Sequence, residues 1–167
     1  AEMLRALVAE GLLVETRAGA YGLPELMNIV PGRISVHPRG YAFVELERRP
    51  DDVAGDVYIA GDQLNEAVHG DRVLVRIDRA GARPEGRISR ILERATPTVV
   101  GRFDTDPNGL HFVTPFDRRL LMDIAVPRGE GREARPGEMV TVEITRWPTP
   151  ARGAVGRAAI FDDCTFL

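Results

Sequence analysis

The sequence predicts an all-β protein: two tandem five-stranded barrels preceded by a short helix-and-hairpin leader. Three observations predict it. Short apolar runs alternate with polar residues, as in Val73, Val75 and Ile77, which is the period of half-buried strands. Seventeen Gly and twelve Pro break these runs at the spacing of turns in all-β folds. The chain also repeats itself.

The repeat is legible at five landmarks. Gly32-Arg33-Ile34 returns 69 residues later as Gly101-Arg102-Phe103, and Gly40 with Phe43-Val44 returns at the same offset as Gly109 with Phe112-Val113. Asp56-Val57-Tyr58-Ile59 returns as Asp123-Ile124-Ala125-Val126, offset by 67. Gly70-Asp71 ahead of Val73, Val75 and Ile77 returns, again at 67, as Gly137-Glu138 ahead of Val140, Val142 and Ile144. Gly86-Arg87 returns at 70 as Gly156-Arg157. One landmark could match by chance; five in register mark two copies of one unit, each the size of a small barrel.

The elements follow in order. In residues 1–31, Leu4, Leu7 and Val8 have helical spacing, and Gly11 suits the position just past a helix end. Leu12-Leu13-Val14-Glu15-Thr16 reads as a strand, Ala18-Gly19-Ala20 as a turn and Tyr21-Gly22-Leu23 as its return. Some 30 residues cannot bury a core of their own, so this piece is expected to lie against the first barrel. Residues 32–95 form the first copy and 96–157 the second. Residues 158–167 have no counterpart, and a stub of a further domain, a divergent tail and a truncation scar all remain open.

Composition bounds the class. At 44% hydrophobic residues the 167-residue chain is globular rather than disordered. No apolar run approaches the roughly 20 residues of a membrane span, and no leader has the charged-then-apolar form of a secretion signal. The single cysteine, Cys164, cannot pair within the chain, so a reducing cytoplasm is expected. The net charge of −3 excludes a strongly electrostatic grip on phosphates, since domains of that kind often exceed a pI of about 9. The deficit is not in the barrels: residues 31–94 carry eleven Arg against eleven acids, and 95–157 carry nine against eight. All basic residues are Arg and none is Lys, and Arg stacks on bases as well as pairing with phosphate.

Alternation puts Tyr41 and Phe43 on one strand face, with Tyr58 on the next strand between Val57 and Ile59. If the strands pair with these aromatics outward, three flat rings form a platform. Every nucleobase has a π-face, so such a platform binds single strands with little sequence preference. Cross-strand packing of the same rings is the plainer reading of alternation alone. The second copy has Leu110 and Ala125 at the positions of Tyr41 and Tyr58, so only Phe112 survives there. Copy one is therefore the expected stacking site and copy two mostly framework. Arg39 beside the first platform, and Arg118 and Arg119 in the second copy, are candidate backbone contacts. The Arg118-Arg119 pair reads equally as a solvated loop.

These residues resemble the cold-shock, oligonucleotide-binding domains of the ribonuclease R and ribonuclease II family of exoribonucleases. Gly40-Tyr41-Ala42-Phe43-Val44 is similar to the family's glycine-aromatic-glycine-phenylalanine-aliphatic motif, with Ala42 in place of the second glycine. Asp56-Val57-Tyr58-Ile59 matches the aliphatic-aromatic-aliphatic motif. Val68-His69-Gly70-Asp71-Arg72-Val73, Glu85-Gly86-Arg87-Ile88, Ile91-Leu92-Glu93-Arg94 and Val99-Val100-Gly101-Arg102-Phe103 continue the likeness, which covers about residues 32–157. The leader resembles the last third of a winged-helix domain. The resemblance implies single-stranded RNA as partner, and a tandem region guiding an RNA 3′ end to a nuclease domain in the same polypeptide. A free-standing RNA chaperone and a protein-interaction barrel are the alternatives.

No catalytic constellation stands out. Asp104-Thr105-Asp106-Pro107-Asn108-Gly109 begins like a calcium loop, but Pro115 falls where a bidentate Glu is required, so a hairpin turn is expected. His37, His69 and His111 are scattered, with His69 read as a turn residue, and Ser35 and Ser89 have no nearby base. No cofactor is expected in this chain; the resemblance implies magnesium only for an aspartate cluster in a separate nuclease domain.

Overall fold

A computed structural model describes residues 2–23, 27–95, 98–149 and 152–160. The chain divides into two compact units, Ala1–Ala95 and Thr96–Leu167.

The first unit opens with helix α1 (Glu2–Ala9), followed by a two-stranded pair, β1 (Val14–Glu15) and β2 (Tyr21–Gly22). Gly11 ends the helix at φ +80°, and the last carbonyls are satisfied by Gly11 N–H donating to Val8 and Leu12 N–H to Leu7. A side chain at Gly11 would also strike Leu92, so the leader lies against the barrel. Arg90 Nη1 holds it there by donating to Val8 O at 3.1 Å.

The barrel is built from β3 (Ile29–Val36), β4 (Ala42–Leu46), β5 (Val57–Ile59), β6 (Arg72–Arg79) and β7 (Glu85–Glu93). It closes in the order β3-β4-β5-β7-β6, with only β5–β7 parallel. Ile34, Val36, Val44, Val57, Ile59, Val73, Val75 and Ile88 fill it. Gly32 is required by closure: a Cβ there would lie 2.5 Å from Val44 Cγ1 and 2.6 Å from the Glu45 carbonyl.

The second unit repeats this plan. Strands β8 (Thr98–Thr105), β9 (His111–Pro115), β10 (Ile124–Val126), β11 (Met139–Arg146) and β12 (Ala154–Ile160) close as β8-β9-β10-β12-β11, with β10–β12 parallel. Phe103, Val113, Ile124, Val140, Val142 and Ala158 form its interior. Gly101 meets Val113 and Thr114 as Gly32 meets Val44 and Glu45.

The repeat landmarks are thus equivalent contacts. Ser35, Phe43 and Tyr58 are aligned across β3, β4 and β5, and Asp104, Phe112 and Ala125 across β8, β9 and β10. Strand β12 runs three residues past 157, pairing Ala159 with Thr141 and Ile160 with Val140. The landmarks end at Arg157, but strand pairing does not depend on them. The rest of the expected tail, 161–167, lies outside the described residues.

The Gly-Asp landmarks are strand-entry clamps. Gly70 N–H donates to Ile34 O and Ile34 N–H to Asp71 O; in the second barrel Gly137 and Glu138 do the same with Phe103. Asp71 is fully buried, its Oδ2 accepting from Val68 N–H at 2.8 Å and Arg94 Nη1 at 2.9 Å, and its Oδ1 from Ala95 N–H at 3.3 Å. Burial pushes its carboxyl above the usual Asp range, outweighing these bonds, which pull it down. Among the described residues Glu138 keeps the first of them, from Arg135 N–H at 2.7 Å.

Candidate nucleic-acid interface

The outer face of the first barrel carries the aromatic residues because of strand parity. Ala42, Val44, Val57 and Ile59 point inward and are fully buried, so Phe43 and Tyr58 must point out. They are direct cross-strand partners, their rings 5.6 Å apart and inclined at 65°. Tyr41 stands just before β4 and joins them, 6.0 Å from Phe43 and 5.9 Å from Tyr58.

The three rings of the platform are not coplanar. The Tyr41 and Phe43 planes are nearly perpendicular, at 89°, and Tyr41 is tilted 37° from Tyr58. Edge-to-face contact is the arrangement favoured by the ring quadrupoles. The result is a ribbed surface, so one base cannot lie flat across all three rings. Phe43 is the most open of them, at 42% exposure.

A fourth ring was missed in the sequence. His37 lies flat on Tyr41, centroids 4.5 Å apart and planes within 6°. The turn forces this: His37 N–H donates to Tyr41 O and Gly40 N–H to His37 O, with Gly40 at φ +100°. His37 Nδ1 accepts from Arg39 N–H at 3.1 Å, so the neutral ring carries its proton on Nε2. The signal was the turn sequence Pro38-Arg39-Gly40, which sets residues 37 and 41 face to face. His69 points elsewhere, its Nδ1 accepting from Val36 N–H at 3.0 Å.

The other candidate residues separate. Arg39 is exposed in the turn beside the His37–Tyr41 stack, and among the described residues no side-chain hydrogen bond or ion pair holds its guanidinium. Phe112 is half-buried between Asp104 and Ala125, and among the described residues it has no ring neighbours like those of Phe43. Arg119 is held by Asp117 through two bonds of 2.9 Å, which raise its pKa further and neutralise its charge locally. Arg118 is exposed on the same loop. The Asp106 turn is a hairpin: Oδ1 accepts from Asn108 N–H at 2.8 Å and Leu110 N–H at 2.9 Å. Among the described residues, no three His, Cys, Asp or Glu side chains converge as a metal site.

Comparison with known proteins bears on both barrels. Residues 32–91 match the family described as Ribonuclease B OB domain, and residues 112–159 match the Cold shock domain family. Ribonuclease R of Escherichia coli K12 is 41% identical over 157 residues, which cover 92% of this chain and 19% of that protein. Ribonuclease R of Acidithiobacillus ferrooxidans is 41% identical over 150 residues, covering 87% and 33%. The chain belongs to the ribonuclease R family, as its cold-shock region. It spans a fifth to a third of the length of these ribonuclease R relatives.

Solved structures of similar fold include two proteins of this kind of architecture by TM-score. Mycoplasma genitalium RNase R in complex with ribose-methylated single-stranded RNA superposes with a TM-score of 0.66 at 17% identity, over 78% of this chain and 21% of that one. Yeast Ssd1, a pseudonuclease, gives 0.67 at 18% identity, over 93% and 26%.

Proposed function

We propose that this ribonuclease R region binds single-stranded RNA on the first barrel and guides it to the nuclease domain of a longer 3′–5′ exoribonuclease. The observation that carries the proposal is the cluster of His37, Tyr41, Phe43 and Tyr58 on one outer face, with Arg39 beside it. A soluble barrel gains nothing in core packing from four rings outside its core. Base stacking is the interaction those rings supply, and it tolerates any base. The RNA-bound relative of like fold supports the ligand class. In this reading residues 32–95 are the binding unit, 96–157 the framework, and magnesium belongs to the nuclease domain. The setting is the cytoplasm.

Fluorescence anisotropy of a short, unstructured labelled RNA tests it. Replacing Tyr41, Phe43 and Tyr58 together by Ala in a chain that still folds should abolish measurable binding. Unchanged affinity would reject stacking and favour a face that docks another protein.

A further inference from the structure

The charges around the rings are asymmetric. Glu45 follows Phe43 on the same face of β4 and lies opposite Arg33 of β3. Arg33 turns away from it, Nη1 donating to Gly70 O at 2.8 Å, which leaves Glu45 without an ion pair among the described residues. Asp56 is exposed ahead of Tyr58. Beyond Tyr58 the next residue across the sheet is Glu85, held to Arg79 at 2.6 Å. Acids therefore border the rings along β4, β5 and β7.

The β3 side differs. Opposite Phe43 it presents Ser35, small and exposed, flanked by exposed Arg33 and His37, with Arg39 in the turn. Beyond Arg33 lies the His69-Gly70 loop, where His69 Nδ1 accepts from Val36 N–H and the Gly70 carbonyl accepts from Arg33. Ser35 leaves room for a sugar-phosphate chain and the two arginines attract it, while a carboxylate on that margin, Glu47, is neutralised locally by its bonds to Arg72.

Resting on the RNA-binding reading above, we propose that the phosphates run over β3, past Arg39 and Arg33, and are turned away from the β4–β5 side by Glu45 and Asp56. The bases then reach the rings from the β3 side. The acids on the far margin select the direction of the track, and the near-zero charge of the barrel becomes a device for orientation.

The test is the salt dependence of binding of the intact chain to labelled decauridylate. Each phosphate neutralised on a single strand contributes about 0.7 to the log–log slope. Arg33→Gln and Arg39→Gln should each flatten the slope by about that amount, and Arg33→Lys should restore it. Arg83→Gln serves as control, because Arg83 precedes Pro84 on the Tyr58 side and its loss removes the same charge. It should leave the slope unchanged. Glu45→Gln should tighten binding about two- to threefold at low salt, the scale of one unscreened repulsion across several ångströms of water. Equal slopes for the Arg33 and Arg83 variants, or a flattening by Arg83→Gln alone, would overturn the proposed track. Loss of binding in Phe43→Ala with such slopes means that the track fails while stacking stands. Full binding in Phe43→Ala means that stacking itself fails.

Discussion

The imidazole of His37 covers one face of Tyr41, 4.5 Å away and within 6° of parallel. Tyr41 therefore offers a base only its opposite face, where Phe43 and Tyr58 crowd it. The outer face of His37 is the open end of the stack. His37→Ala should weaken RNA binding by about 1 kcal/mol or more, while His37→Phe should restore most of it. Anisotropy titrations of the two variants check this, and a Phe variant as weak as Ala would show that the ring face is not used.

Phe43→Ala and Tyr58→Ala should each cost about 1–3 kcal/mol of affinity. Their edge-to-face packing makes them energetically coupled, so the double variant should lose less than the two losses combined. A double-mutant cycle by anisotropy measures the difference, and strict additivity would mean that each ring acts alone.

Phe112→Ala should weaken binding less than Phe43→Ala. Phe112 lies across from Asp104 and Ala125 rather than a second aromatic, and Arg119 of the same barrel is spent on Asp117. The same titrations compare the two directly. A larger loss at Phe112 would shift the binding site to the second barrel.

Asp71→Ala should destabilise the first barrel by about 3 kcal/mol, because Arg94 and two amides lose their buried acceptor. The pH dependence has a definite sign. The folded carboxyl titrates above its unfolded range, so the folded state binds the extra proton between the two. The Asp71 contribution is fully present below the unfolded range and declines as pH rises through the folded one. Glu47 runs the other way: its bond to Arg72 lowers its pKa, so its contribution is present above the unfolded range and is lost on acidification. Urea unfolding of wild type and Asp71→Asn across this pH range should show wild type losing its relative advantage towards neutrality.

Gly32→Ala and Gly101→Ala should each cost about 1–3 kcal/mol, the usual penalty of overpacking. The added methyl meets a backbone carbonyl as well as a valine, and neither can move without opening the barrel. Urea midpoints decide it, and a neutral substitution would mean that the strands can spread at that point.

How much of this was legible in the sequence follows from which contacts are periodic. Strand parity put Val44, Val57 and Ile59 inside and Phe43 and Tyr58 outside, since one face of each strand must be buried. The 67- to 70-residue offset determined that two equivalent barrels exist, because the landmark glycines and acids serve the same closure and clamp contacts in each copy. The extent of β12 was not legible, because Ala158 and Ala159 are held by pairing with β11 rather than by any motif. Nor was His37, whose place on Tyr41 comes from turn geometry and not from alternation. The inclination of Tyr58 against Tyr41 and Phe43 and the turning of Arg33 towards Gly70 were decided by the tertiary structure. Side-chain direction depends on neighbours brought together across strands, and a linear pattern carries the parity of a residue but not the partner it will meet.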